Sequence, residues 1–161
     1  MEENFSCERV TEIMNKIYST LQEYEKQTDM MINADLEVLQ HGLIARNELI
    51  ESLDDLKDDV NAVIDCEAPD EARLLKALVN GSAVTILLDE PHKKLQLLQR
   101  NITIIKQRIL DKDKVISGQF KDKHVDSRRE LEQLKKTKQK IGYYSSATVG
   151  RQTGQSLNKN R

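Results

Sequence analysis

Apolar residues recur every three or four positions over most of this chain, and that periodicity constrains its fold more than any other feature. Such spacing places the apolar side chains along one face of an α-helix. The first two stripes predict helices over about residues 7–32 and 35–65. Because neither helix can bury its stripe alone, we expect the two to pack as an antiparallel hairpin. The stripes consist of Val10, Ile13, Met14, Ile17, Leu21, Tyr24 and Met31, and of Leu36, Leu39, Leu43, Ile50, Leu53, Leu56, Val60 and Val63.

A further stripe follows Pro91 and predicts a last helix of about 50 residues, which starts or kinks at that proline. Apolar residues become sparse between Phe120 and Leu131, and this pattern favours a bend or a bound partner at that point. The apolar positions of this helix are Leu95, Leu98, Ile102, Ile105, Ile109, Ile116, Phe120, Leu131, Leu134 and Ile141.

Local signals set the remaining boundaries. Ser6 is a candidate cap for the first helix, and Pro69 opens a short helix that Asn80 and Gly81 close. Beyond Tyr144 the chain is rich in Ser, Thr, Gly, Gln and Asn. We therefore expect an all-α fold, an elongated antiparallel helical hairpin or bundle with a long C-terminal helix. One domain should cover residues 1–144, followed by a flexible polar tail over 145–161.

Composition supports few, long elements. The 161 residues include only 6 Gly and 2 Pro, which leaves little material for the turns of a many-stranded β protein. Charged residues make up 32% of the chain and aromatic residues 4%. This balance favours helices with a thin apolar seam and is unlike that of enzymes with deep pockets.

Charge and cysteine usage bear on the compartment. Residues 1–120 carry 14 Lys and Arg against 23 Asp and Glu, whereas residues 121–161 carry 11 against 4, so an acidic body precedes a basic end. Cys7 and Cys66 lie far apart and form no C-x-x-C motif, and no secretory leader is visible. The longest uncharged apolar stretch, 81–88, is too short to cross a bilayer. We expect a cytoplasmic protein.

No catalytic or metal-binding pattern emerges. The three histidines lie on different predicted helices without a second ligand one turn away, and we expect each to be partly exposed. They are His41, His92 and His124. Neighbouring carboxylates such as Asp58 and Asp59 point about 100° apart on a helix and are typical of a solvated face. We expect no enzymatic activity, no metal and no cofactor.

The basic stretch over residues 128–140 has three interpretations. It is foremost the charged end of an exposed helix, where cations favour the helix dipole. It could also bind an acidic protein, or nucleic acid, which we do not expect because aromatic residues are missing until Tyr143. The predicted members are Arg128, Arg129, Lys135, Lys136, Lys138 and Lys140.

The stripe of the last helix also has two interpretations. Leu95, Leu98, Ile102, Ile105, Ile109, Ile116 and Phe120 are either ordinary bundle core or a partly open groove that binds an amphipathic helix of another protein. A helix this long would overhang the hairpin, and the overhang could form a homodimer. A structural coiled-coil protein that self-associates through this helix is therefore the alternative to a binding protein.

Three stretches resemble the flagellar type III export chaperones of the FlgN type, with the FliT type close behind. They are residues 31–39 (MINADLEVL), 46–50 (RNELI) and 138–144 (KQKIGYY), the last leading to Gly150 and a polar tail. The resemblance implies a small cytoplasmic chaperone that binds the C-terminal helical segment of a late export substrate. The substrates would be hook-filament junction proteins or the filament cap protein.

In that family the chaperone keeps its substrate from polymerising and delivers it to the membrane export gate. A tyrosine near the C-terminus helps to dock on the gate, and the resemblance assigns that role to Tyr143 or Tyr144.

Overall fold

A computed structural model describes residues 2–122 and 128–145, and every regular element within them is an α-helix; residues 82–89 form an irregular segment. The helices are α1 (Glu2–Met31), α2 (Leu36–Asp65), α3 (Pro69–Val79), α4 (Glu90–Asp122) and α5 (Arg128–Ser145). The predicted all-α bundle with a long helix is therefore confirmed. The predicted tail lies outside the described residues beyond Ser145, which ends α5.

Successive long helices reverse direction along the chain, so α1 and α4, which pack side by side, run parallel, and α2 runs opposite to both. α1 packs against α2 and α4, while α5 packs against α4 and α2, so the four helices form a closed ring. The α1–α2 turn meets the C-terminal part of α4, where Asn33 and Gln119 exchange hydrogen bonds. At the opposite end, which we call the α3 end, Ser6 near the start of α1 donates to Glu67 beyond the end of α2.

The last predicted helix is not one continuous helix of about 50 residues. α4 ends at Asp122, and α5 begins at Arg128 and packs back against α4 and α2. Leu134 joins an apolar cluster with Ile116 and Phe120 of α4, and Ile141 reaches the main core. The reversal falls where the stripe weakens, because without apolar side chains a longer straight helix would have nothing to bury there.

Two short helices share the fourth corner of the bundle. α3, of 11 residues, packs against α4 and α2 at the α3 end, and α5, of 18 residues, packs against the same two helices farther along. A straight helix as long as the 30-residue α2 would span about 45 Å. The groove between α2 and α4 is thus covered in two pieces.

Turn chemistry explains several boundaries. Asn33 adopts a φ of 58°, a left-handed conformation that Asn tolerates better than most residues, and so ends α1. Asp35 caps α2 by accepting a 3.0 Å hydrogen bond from the Val38 backbone N–H. Gly81, with φ 71°, ends α3 as predicted. Ser6 does not cap α1, because the helix already begins at Glu2.

The core runs along the whole bundle and is closely packed around Gly42. A Cβ atom at Gly42 would lie 2.5 Å from Cγ of the buried Met31. Glycine therefore lets α1 approach α2 at this level. The main cluster includes Val10, Leu21, Ile50, Leu53, Leu95, Ile102, Ile105 and Ile109, and a second one comprises Met31, Leu39, Leu43, Ile116, Phe120 and Leu134.

Candidate functional site

The predicted helix-binding stripe lies inside the bundle. Six of its seven side chains are buried and Leu98 is partly buried, so these residues are core and do not form an open groove. The reason is that α1, α3 and α5 pack around α4 and cover its apolar face. Any foreign helix that contacts this stripe must first displace one of them. The buried members are Leu95, Ile102, Ile105, Ile109, Ile116 and Phe120.

The predicted docking tyrosines cannot be placed by their side chains. Tyr143 and Tyr144 belong to α5 by their backbone, but their side chains lie outside the described residues. The part of the basic stretch that is described, residues 132–141, exposes its lysines to solvent. These exposed residues are Lys135, Lys136, Lys138 and Lys140.

An ion pair is buried in the middle of the bundle, where the stripe pattern alone predicts apolar side chains. Arg46 of α2 donates to both carboxylate oxygens of Asp113 of α4, at 2.8 and 3.0 Å, and the two side chains are 0% and 1% exposed. Arg46 also donates to the Tyr24 hydroxyl of α1, and its guanidinium lies 4.4 Å from the centre of that ring. One side chain thus joins three helices.

Burial and charge oppose each other in this cluster. Burial raises the pKa of Asp113 above its ordinary value, while Arg46 limits the rise. Burial likewise raises the pKa of the Tyr24 hydroxyl, which remains protonated. Within the described residues, Nε of Arg46 is a buried donor without a hydrogen-bond acceptor. The contacts of Arg46 with Asp113 and Tyr24 align α2 with α4 and α1.

A second polar cluster fastens α3 to α4. The His92 ring places Nε2 2.8 Å from Oε1 of Glu71 and Nδ1 2.5 Å from Oδ1 of Asp89. Only 7% of the His92 side chain is exposed, so the prediction of a partly exposed position is wrong for this histidine. Asp89 also accepts a 3.1 Å hydrogen bond from the His92 backbone N–H and thereby caps α4.

Two buried groups near these helices have altered acidity. Burial, reinforced by Glu71 and Asp89, raises the pKa of the Cys7 thiol to about 11. Burial, reinforced by Lys57 of α2, lowers the pKa of Lys106 to about 7. The Cys7 thiol is therefore protonated at neutral pH and is a poor nucleophile there.

A shallow cavity of about 470 Å³ lies beside the end of α3. Leu78, Gln99 and Ile104 line it, and of these Ile104 is an exposed apolar side chain whereas Leu78 is buried. The other lining residues are small or polar, so the lining is not a large apolar patch. Leu97 of α4 and Leu87, in the segment between α3 and α4, are further exposed apolar side chains.

Among residues 2–122 and 128–145, no group of three or more His, Cys, Asp and Glu side chains is arranged to hold a metal ion. None of the helices in that part of the chain has both the length and the apolar character that a bilayer crossing requires.

Comparison with known proteins finds no match to a family model, to a curated protein or to a solved structure. The case for a function therefore depends on the geometry and on the sequence resemblance.

Proposed function

We propose that this protein is a helix-binding chaperone of the flagellar type III export system, of the FlgN or FliT type, that acts in the cytoplasm by binding and not by catalysis. Its clients would be the C-terminal amphipathic helices of hook-filament junction proteins or of the filament cap protein. Binding would prevent their premature assembly until delivery to the export gate. The sequence resemblance in residues 31–39, 46–50 and 138–144 suggests this role.

The observation that carries the proposal is that two separate short helices, α3 and α5, cover the groove between α2 and α4. Among the α5 residues whose side chains are described, only Leu134, Thr137 and Ile141 are buried. An amphipathic client helix with apolar residues at the same spacing offers an equivalent face. Exchange of α5 for a client helix would give the client access to Ile109, Ile116 and Phe120 without opening the α1–α2 hairpin.

A matched set of variants tests this exchange. The full chain should bind a synthetic peptide that carries the C-terminal helix of a junction or cap protein. The double variant Leu134→Ala/Ile141→Ala should bind it several-fold more tightly, because a weakly held α5 competes less well for the groove. Glu132→Ala, at an exposed position of the same helix, is the control and should leave the affinity unchanged.

Affinity is measured by calorimetry, and circular dichroism verifies that each variant remains helical. A peptide that binds neither the full chain nor the loosened variant would contradict the chaperone proposal. Equal binding by both would contradict the exchange of α5. A stable homo-oligomer formed without any client would instead support the structural coiled-coil protein.

Gate docking is proposed to use a different surface. The double variant Tyr143→Ala/Tyr144→Ala should weaken attachment to the export gate and leave client affinity unchanged. Loss of both to the same extent would assign the tyrosines to the fold or to the client groove.

A further inference from the structure

The His92 cluster joins three parts of the chain through one imidazole ring. Glu71 lies on α3, Asp89 directly precedes α4, and His92 is in the first turn of α4. Each ring nitrogen lies within hydrogen-bond distance of a different carboxylate, at 2.8 Å and 2.5 Å. The ring therefore connects α3 to α4 at the α3 end of the bundle.

This geometry favours a doubly protonated ring between two carboxylates. A neutral imidazole carries one N–H group and one lone pair, so it can donate to only one of the two carboxylates. The other nitrogen would then place its lone pair against a carboxylate oxygen at hydrogen-bond distance. Only the imidazolium donates on both sides, and it also neutralises part of the local negative charge.

We propose that His92 is a pH-sensitive latch, which holds α3 and the segment before α4 closed over the α3 end of the bundle and releases them when the ring loses a proton. The latch does not depend on the function proposed above. Release would uncover the core that Leu75 and Leu78 of α3 now cover.

The surroundings of the ring favour its charged form. Burial opposes protonation, but hydrogen bonds with Asp89 and Glu71 and their charges outweigh it, so the pKa of His92 lies above its usual value. From α1, the Cys7 thiol lies near enough to Glu71 and Asp89 for their charges to raise its pKa, and Glu8 acts on the same thiol. From α4, Lys93 lies near Asp89. In the turn after α2, at the same end of the bundle, Glu67 accepts a hydrogen bond from Ser6.

The sign of the pH dependence follows from this shift. A histidine whose pKa is higher in the folded than in the unfolded chain stabilises the closed form below the unfolded value, about 6.5. That contribution is lost as the pH rises through the folded pKa. The latch should therefore open as the pH rises through the folded pKa of His92, which lies above its usual value.

Cys7 provides a reporter beneath the latch. Its side chain is 0% exposed, whereas Cys66 is exposed. A Cys66→Ser chain therefore has Cys7 as its one thiol, and a thiol reagent should label it only when the α3 end opens. Dividing each rate by that of the urea-unfolded chain at the same pH removes the titration of the thiol itself.

The corrected labelling rate of the single-thiol chain should be flat at low pH. It should rise with pH between the unfolded pKa, about 6.5, and the folded pKa of His92, by at most about tenfold per pH unit for one proton, and level off above the folded pKa. With His92→Gln added, labelling should be faster at pH 6 and independent of pH. A pH-independent rate in the parent chain, or the same rise in the His92→Gln chain, would overturn the latch.

A second variant keeps the test decisive if His92→Gln fails to fold. Glu71→Gln removes one carboxylate, and its amide can donate to the lone pair of a neutral ring, so the rise with pH should flatten. Lys76→Gln is the matched control on α3, since Lys76 forms only an exposed 3.8 Å ion pair with Asp65. An unchanged rise in Glu71→Gln, or a flattened one in Lys76→Gln, would contradict the assignment to His92.

Discussion

Two polar clusters interrupt the apolar core, and they differ in the permanence of their charge. In the middle of the bundle, Arg46 and Asp113 are almost completely buried, and an arginine does not deprotonate in the accessible pH range. At the α3 end, His92 is buried, but the Asp89 side chain is 52% exposed, and a histidine titrates near neutrality. The central cluster therefore joins its helices at any accessible pH, whereas the cluster at the α3 end joins them only while His92 is protonated.

The difference indicates what each cluster can do for the bundle. A buried, permanent pair must be satisfied in one alignment of α1, α2 and α4, so it disfavours every other register of the long helices. A titratable cluster holds only the short α3, whose release leaves that alignment intact. The buried ion pair thus fixes the alignment of α1, α2 and α4, whereas the titratable cluster holds the short helix α3, which can be released.

The largest effect is expected from breaking the permanent cluster. Asp113→Ala leaves the buried guanidinium of Arg46 without its carboxylate, which should destabilise the fold by about 3–5 kcal/mol. Urea unfolding followed by circular dichroism measures this. Asp111→Ala, which removes a carboxylate that is 61% exposed, should cost less than about 0.5 kcal/mol. Similar losses in both variants would show that the buried pair has no special role.

A smaller loss of stability is expected from a substitution that changes only the packing near Arg46. Gly42→Ala places a methyl group 2.5 Å from Cγ of Met31, whose sulfur lies 3.6 Å from Nη1 of Arg46. Overpacking of this kind costs about 1–3 kcal/mol. Thermal unfolding measures the loss.

Gly118→Ala is the matched control, because a Cβ there meets nothing within 4 Å. It should stabilise α4 by about 0.5–1 kcal/mol through helix propensity. A stabilised Gly42→Ala variant would mean that Met31 moves aside without cost.

The sequence predicted the positions of the helices better than it predicted the two polar clusters. Periodicity located α1 and α2, because one apolar face per helix is a local property, and the signals at Pro69 and Gly81 located α3. Of the two interpretations of Pro91, a start or a kink, the structure shows the start, since α4 begins at Glu90. The reversal between Asp122 and Arg128 was not predicted, since a weak stripe indicates an interruption but not which way the chain continues.

The buried polar residues were missed for a related reason. Arg46 and Asp113 occupy seam positions, between Leu43 and Ile50 and between Ile109 and Ile116, and a charge in the seam was the available signal. Their pairing is a contact between distant helices that no local pattern specifies. The burial of His92 depends on α3, and the stripe of α4 could be assigned to core only when its covering helices were seen.

The His92 cluster should affect how the free energy of unfolding depends on pH. As the pH rises from 6 to 9, the stability of the parent chain should fall relative to that of His92→Gln, because only the parent loses the proton of His92. Lys106, whose pKa is about 7, titrates in both chains and cancels in this comparison. Asp113→Ala should retain the parental slope despite its lower stability, because it leaves His92 and both of its carboxylate partners in place. Urea unfolding at each pH measures the three slopes. Parallel slopes for the parent and His92→Gln would remove the distinction between the clusters.

The smallest effect is expected from a third kind of charged contact, at the surface between α1 and α4. Arg108 donates to both oxygens of Glu25, at 2.9 and 3.0 Å, but its side chain is 53% exposed. Water screens such a pair, so Arg108→Ala should cost about 0.2–1 kcal/mol. Lys112 also contacts Glu25, at 3.3 Å, which keeps the carboxylate partnered in the variant.

Salt separates this surface contact from the buried pair. In 1 M NaCl the screening length falls to about 3 Å, so the cost of Arg108→Ala should shrink towards zero. The cost of Asp113→Ala should change little, because ions do not reach the interior of the bundle. Urea unfolding of both variants at low and high salt gives the comparison. A salt-independent loss for Arg108→Ala would mean that contacts of its aliphatic stem stabilise the bundle more than its charge does.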